Sequence, residues 1–256
     1  MQLPKVPLLT YMLQGAAAEK MLADTSQAVQ NGADAIGLQL EIIDPQLVNP
    51  SFIDDVVKAA EGRPLYVTNY RRGNPSPQKS DDILAQELLE ALDHGALIID
   101  VPGNMFAHSD IEINYEPEVI KKQREFIDEI HKRGGIALMS SHMFKFMKRD
   151  EVYELAKTHE NRGADISKIV TNANTDDELT ENLIISAELK NKIGIPYLFL
   201  CNGKFCARHR MLTTALGSCM MLCSTDKIPE HTQPNLSFGK DMLELIEKHR
   251  KNLNEI

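Results

Sequence analysis

The feature that most constrains this chain is a repeated alternation of two patterns. Short β-rich runs recur at residues 8–13, 35–40, 65–70, 96–101, 136–140, 167–172, 197–201 and 219–223. Each is followed by a stretch with helical periodicity, at residues 16–30, 52–60, 81–92, 117–133, 149–161, 176–192, 207–216 and 239–253. Most runs are continuously apolar and do not alternate, as expected of a parallel sheet whose outer face is covered. Eight such units in 256 residues suit a closed barrel better than an open doubly wound sheet, since one barrel commonly takes about 250 residues. The chain is therefore expected to be α/β, a (β/α)8 TIM barrel, in a single domain over residues 1–256. No linker, low-complexity tract or charge run divides it.

The junctions carry matching punctuation. Thr175-Asp176-Asp177-Glu178 reads as a capping box, with the glutamate three residues after the cap. Gly32, Gly95, Gly134, Gly163 and Gly194 each follow a helical stretch, where a left-handed residue closes a helix.

Composition removes several function classes. Acidic residues outnumber basic ones, 37 to 28, for a formal charge of −9, the opposite of a broad nucleic-acid surface. No stretch approaches the roughly 20 apolar residues of a membrane span. Residues 5–14 imitate a signal peptide, but Pro7, Thr10 and Gln14 interrupt the apolar part, so a first strand is expected there. Cys201, Cys206, Cys219 and Cys223 form no CxxC pair and have no histidine at zinc-finger distance. They are expected as reduced, buried thiols of a cytoplasmic protein. No phosphate-binding glycine motif and no H-E-x-x-H occurs, so neither a nucleotide cofactor nor a metal is expected.

In such a barrel the chemistry comes from the C-terminal ends of the strands, so polar residues embedded in strands are the ones to question. Lys168 lies inside Ile166-Ser167-Lys168-Ile169-Val170. Pointing inward, it would be desolvated, which favours the neutral amine that attacks a carbonyl to form a Schiff base. Pointing outward, it would snorkel across the helical layer. His142 ends the preceding β-rich run, and adjacent strands lie about 4.8 Å apart, so it could meet Lys168 at the barrel mouth. There it would be a proton-transfer group; otherwise it is a loop histidine without chemistry. His108, His131, His159 and His249 fall on loops or polar helix faces and are expected to be solvated. Asn202-Gly203-Lys204 could form an anion-binding nest or a plain glycine turn. The segment Met143-Phe144-Lys145-Phe146-Met147 could be a lid or rim packing.

The ordered set Ser140-Ser141-His142-Met143-Phe144, Asp165-Ile166-Ser167-Lys168-Ile169, Arg210 and Leu216-Gly217-Ser218 resembles type I 3-dehydroquinate dehydratase. The likeness extends over Gly32-Ala33-Asp34, Pro64-Leu65-Tyr66-Val67-Thr68 and Ile98-Ile99-Asp100. It implies a cofactor-free, metal-free barrel, often homodimeric, that dehydrates 3-dehydroquinate through a lysine imine. Carried over, Lys168 would be the Schiff-base lysine, His142 the general acid/base and Arg210 the carboxylate-binding arginine.

The pattern also departs from that family. Where the family places Glu-x-Arg to grip substrate hydroxyls, an ungapped comparison puts Gly37 and Gln39. The family's Thr-x-Arg becomes Thr68-Asn69-Tyr70-Arg71, so Arg71 fits only after a one-residue shift. A Ser and a Gln are replaced by His231 and Asn235, and Met143 follows the histidine in place of Asp. Gln39, Arg71, Arg210, His231 and Asn235 are thus the expected substrate-binding residues. The expected partner is a small carboxylated ketone, with no nucleic acid and no membrane. Two other functions stay open: an imine-forming dehydratase or aldolase-type lyase for a different carboxylated hydroxyketone, and a non-catalytic paralogue that binds a small acid.

Overall fold

The structure is a computed structural model, and it describes residues 3–13, 15, 17–71, 79–224 and 233–253. Eight parallel strands, β1 (Leu8–Met12), β2 (Ala35–Gln39), β3 (Leu65–Thr68), β4 (Ile98–Pro102), β5 (Ile136–His142), β6 (Ile166–Asn172), β7 (Tyr197–Asn202) and β8 (Met220–Cys223), form one sheet. Helices α1 (Ala18–Gln30), α2 (Pro50–Ala59), α3 (Asp81–Asp93), α4 (Pro117–Lys132), α5 (Arg149–Asn161), α6 (Asp176–Glu188), α7 (Cys206–Ala215) and α8 (Leu236–Leu253) follow them in turn. Neighbouring strands pair in chain order, and β1 pairs with both β2 and β8. Among the described residues no ladder joins β7 to β8. That seam carries one backbone bond at its base, from Cys219 N–H to Tyr197 O at 2.8 Å. The result is a nearly closed (β/α)8 barrel.

Strand residues alternate between the two sides, as the pleat requires. Leu8, Tyr66, Ile98, Leu138, Ile166, Leu198 and Met220 fill the interior as one apolar cluster. Leu9, Ile36, Val67, Ile99, Ala137 and Met221 face outward into the larger cluster shared with the helices. Register then places the chemistry. Ser140 pairs with Lys168, which pairs with Leu198, so Lys168 belongs to the inward set.

Element ends differ from the sequence expectation where a cap outside the periodic stretch begins the helix early. Asn49 accepts from Phe52 N–H at 3.1 Å, so α2 starts at Pro50, where a proline is tolerated. Asn235 accepts from Phe238 N–H at 2.7 Å and opens α8 at Leu236. The Thr175/Glu178 capping box is present on α6. Gly32, Gly95, Gly134 and Gly163 are left-handed. Gly194 is not: its N–H donates to Glu160 Oε1 at 2.9 Å, and a Cβ there would collide with that oxygen.

His159 corrects the expectation of a solvated histidine. It is fully buried on α5, with Nδ1 2.9 Å from Ser167 Oγ and Nε2 3.1 Å from Ser141 Oγ. Burial, helped by the Arg162 charge, pushes its pKa down to about 3. The helical periodicity around it placed one polar side chain on the inner face, where two serines from β5 and β6 satisfy it. The four cysteines are free and buried. Among the described residues no helix is long and apolar enough to cross a membrane.

Candidate active site

A cavity of about 690 Å³ opens at the C-terminal end of the strands, lined in part by Asn69, Tyr70, Arg71, Glu112, His142 and Asn202. Beneath it lies the amine of Lys168, 5% exposed. Its nitrogen donates to Tyr70 OH at 2.7 Å, Tyr66 OH at 3.0 Å and Asp100 Oδ2 at 3.0 Å. The three protons of an ammonium group thus meet three acceptors.

Asp100, on β4, is fully buried and collects further donors. Tyr66 OH and Tyr70 OH both donate to its Oδ2, and Ser140 Oγ donates to its Oδ1. Burial alone would raise its pKa. The Lys168 and His142 charges and the hydroxyl donors outweigh burial and hold the carboxyl below its ordinary range. The phenols of Tyr66 and Tyr70 are driven well above theirs, by burial and then by the Asp100 charge, so both stay protonated donors.

His142 stands at the top of β5, its ring edge-on to Tyr70 with centroids 5.0 Å apart. Its Nδ1 lies 3.0 Å from Glu112 Oε2, which also accepts the His142 backbone N–H at 2.6 Å. An ionised carboxylate only accepts, so Nδ1 carries the proton and Nε2 the lone pair in the neutral ring. Burial and the Lys168 charge lower the His142 pKa, against the opposing pull of Glu112. The neutral, proton-accepting form therefore prevails at pH 7. Glu112 comes from the β4–α4 loop at φ +44°, a conformation L-residues seldom adopt. That loop is pinned by Ser141 Oγ to Glu112 O at 2.7 Å, and by Arg162 to Asn114 O and Gln123.

The other expected residues are distributed differently. Tyr70 takes the inward position, while Arg71 turns to the rim and forks onto Asp81, with a further bond to Asn104 O at 2.8 Å. Gln39 sits at the top of β2 and donates to Glu41 Oε1 at 3.4 Å. Glu41 is itself buried and accepts from Thr68 Oγ1 at 2.9 Å; burial, aided by Asp100, raises its pKa. At Gly37 the space for a side chain is filled by the Met12 thioether. Arg210 lies on α7 behind the cavity wall, bonded to Asn202 Oδ1 at 3.2 Å, Cys206 Sγ at 3.1 Å and Cys201 O at 3.3 Å. Asn235 uses its carbonyl to cap α8, and His231 lies outside the described residues.

The Asn202-Gly203-Lys204 turn is lined by oxygens, not by free amides. Gly203, at φ +87°, has Asn172 Oδ1, Asn174 Oδ1 and Ala173 O where a Cβ would stand. Lys204 N–H already donates to Asn174 Oδ1 at 3.2 Å. In the Met143–Met147 segment both methionines are buried in the core, and only Phe144 projects to the cavity rim.

Sequence reasoning missed Asp100, Tyr66, Tyr70, Glu41 and Glu112. For Asp100 the signal existed: an acid inside Leu97-Ile98-Ile99-Asp100-Val101 is as anomalous as a lysine in β6, and each buried charge calls for the other. Glu112 has no such signal, because its loop has no period to read.

The sequence model of type I 3-dehydroquinase matches residues 10–250. A comparison with curated proteins finds no match. Among solved structures, a type I 3-dehydroquinate dehydratase from Clostridium difficile, with covalent modified comenic acid, superposes with a TM-score of 0.81 at 18% identity. That match covers 95% of this chain and 94% of the other. The 3-dehydroquinate dehydratase from Geobacillus kaustophilus gives 0.78 at 14% identity, over 94% and 91%. The carboxyl transferase domain of Rhizobium etli pyruvate carboxylase gives 0.66 at 12% identity, over 93% of this chain and 43% of that one. These likenesses establish the barrel.

Proposed function

Because the chain belongs to the type I 3-dehydroquinase family, matched over residues 10–250, we propose that it is a cofactor-free Schiff-base lyase. It would dehydrate 3-dehydroquinate to 3-dehydroshikimate through an imine on Lys168. The observation that carries this reading is the buried Lys168 amine beneath the cavity, one strand away from His142 at the same mouth of the barrel.

The Lys168 nitrogen gives up a proton to the neutral His142 ring and adds to the ketone carbon. Proton transfer from His142 lets the carbinolamine oxygen leave as water, forming the iminium. The iminium draws electrons from the neighbouring carbon, so His142 Nε2 can remove its proton and leave an enamine. The enamine expels the β-hydroxyl, protonated by His142, as a second water. Hydrolysis of the conjugated imine consumes one water and frees the product and the amine, for a net loss of one water. Glu112 keeps the ring in the tautomer that places the lone pair on Nε2.

A second reading, imine chemistry on a different carboxylated hydroxyketone, is favoured by a specific observation. Met12 occupies the space at Gly37, and Tyr70 rather than Arg71 faces the amine. A site that hydrogen-bonds substrate hydroxyls can discriminate by about 10⁴-fold, so changed partners matter. Dehydroshikimate formation, followed by ultraviolet absorbance beside a known family enzyme, separates the two. Comparable kcat/KM supports the first reading. Borohydride-trapped adduct without dehydroshikimate supports the second, and neither adduct nor turnover with any carboxylated ketone contradicts both.

A further inference from the structure

We propose that Asp100 is the counter-ion of the reacting nitrogen, remaining paired with it when Lys168 becomes an iminium. The inference rests on the Schiff-base reading above. Before reaction the Lys168 nitrogen serves Tyr66, Tyr70 and Asp100. An iminium keeps a single N–H, because one proton is lost before attack and another when water leaves. Two of the three acceptors must therefore be released. The two phenols can give up their contact with the nitrogen without being orphaned, since each still donates to Asp100 Oδ2. Asp100 is the acceptor with a full charge, and a buried anion next to a new cation is stabilising in a site shielded from water.

The layout supports the same division. Tyr70 lines the cavity, whereas Asp100 and Tyr66 lie deeper and are fully buried. A ketone entering from the cavity displaces the Tyr70 contact and leaves the nitrogen on the carboxylate. Ser140 Oγ holds the far oxygen, Oδ1, and so fixes which oxygen faces the nitrogen. The other ionisable groups around Asp100 are His142 on β5, His159 on α5 behind it, the phenols of Tyr66 and Tyr70, and Glu41 beyond β2; Glu112 bonds to His142. Glu41 is engaged by Thr68 and Gln39, so it is the control acid.

The test uses a conjugated aldehyde, cinnamaldehyde, whose protonated imine has a long-wavelength band, and compares the protein with n-butylamine in water. The protein-bound imine is expected to keep its protonated band to a pH at least about one unit higher than the free imine, one unit being about 1.4 kcal/mol. Asp100→Asn is expected to lower that pH by about a unit or more, and Glu41→Gln by less. Equal titration of bound and free imine in the native protein overturns the proposal without any variant, as does an unchanged Asp100→Asn or a larger effect from Glu41→Gln. If cinnamaldehyde, 3-dehydroquinate and other carboxylated hydroxyketones all leave Lys168 unmodified, the Schiff-base reading fails and this inference with it. An imine that forms but titrates like the free one removes only the counter-ion role.

Discussion

Replacing Lys168 with methionine deletes one half of a buried ion pair and leaves Asp100 charged at the centre of the barrel mouth. Tyr66, Tyr70 and Ser140 still donate to it, which softens the loss. Breaking such a pair typically costs about 3–5 kcal/mol, and the expected cost of Lys168→Met lies at or below the lower end. The double variant Lys168→Met/Asp100→Asn is expected to recover part of that loss in urea unfolding. A double variant that is less stable by the sum of the two single effects would mean the pair is not coupled. His142 makes a separate prediction. His142→Ala is expected to slow turnover by roughly 10²-fold or more, the usual scale for a general acid/base, while trapped imine accumulates. Because burial lowers the His142 pKa, the base form is complete above the ordinary value of about 6.5 and is lost only below it. The acid limb of kcat should therefore fall under pH 6.5 and move lower still in Glu112→Gln, which removes a contact that raises that pKa. A limb that moves upward would refute the assigned hydrogen bond.

At the scale of elements, His159 joins α5 to β5 and β6 through two serine hydroxyls. Its pKa of about 3 in the fold, against 6.5 for the free group, means the unfolded chain binds the extra proton as pH drops. Stability contributed by this residue is thus complete above about pH 6.5 and declines toward pH 3. Between pH 7 and pH 5 the wild type should lose roughly 2 kcal/mol more than His159→Gln, by the linkage of about 1.4 kcal/mol per unit. Parallel stability curves for the two proteins would show that the histidine is not buried neutral. The order and kind of all sixteen main elements were legible in the sequence, because a covered parallel strand and an amphipathic helix leave different periods. The ends were less legible. Asn49 and Asn235 start their helices from outside the apolar pattern, so the pattern alone places each start late.

For the molecule as a whole, the barrel's weakest place is the seam between β7 and β8, where the described residues show one backbone bond and no ladder. Strand β5 is paired on both sides. Amides of β8 are therefore expected to exchange with solvent faster than those of β5, and uniform protection around the barrel would contradict the open seam. The fold also explains what sequence could say about the site. Lys168 and His142 stand out because strands with an inner and an outer face make polar residues conspicuous. Asp100 reads the same way once its neighbour in space is known. The resemblance assigned Arg210 to a substrate carboxylate and Arg71, after a one-residue shift, to substrate binding; in the structure Asp81 holds Arg71 and Asn202 holds Arg210, and side-chain pairing across 10 residues or across a helix–strand junction has no sequence period. An imine on Lys168 is detectable by mass spectrometry of the protein after borohydride reduction with 3-dehydroquinate and, separately, with other carboxylated hydroxyketones. A reduced adduct is expected on the peptide containing Lys168 and is lost in Lys168→Met; no adduct with any of these ketones, or one placed on a different lysine, would rule out the imine on Lys168.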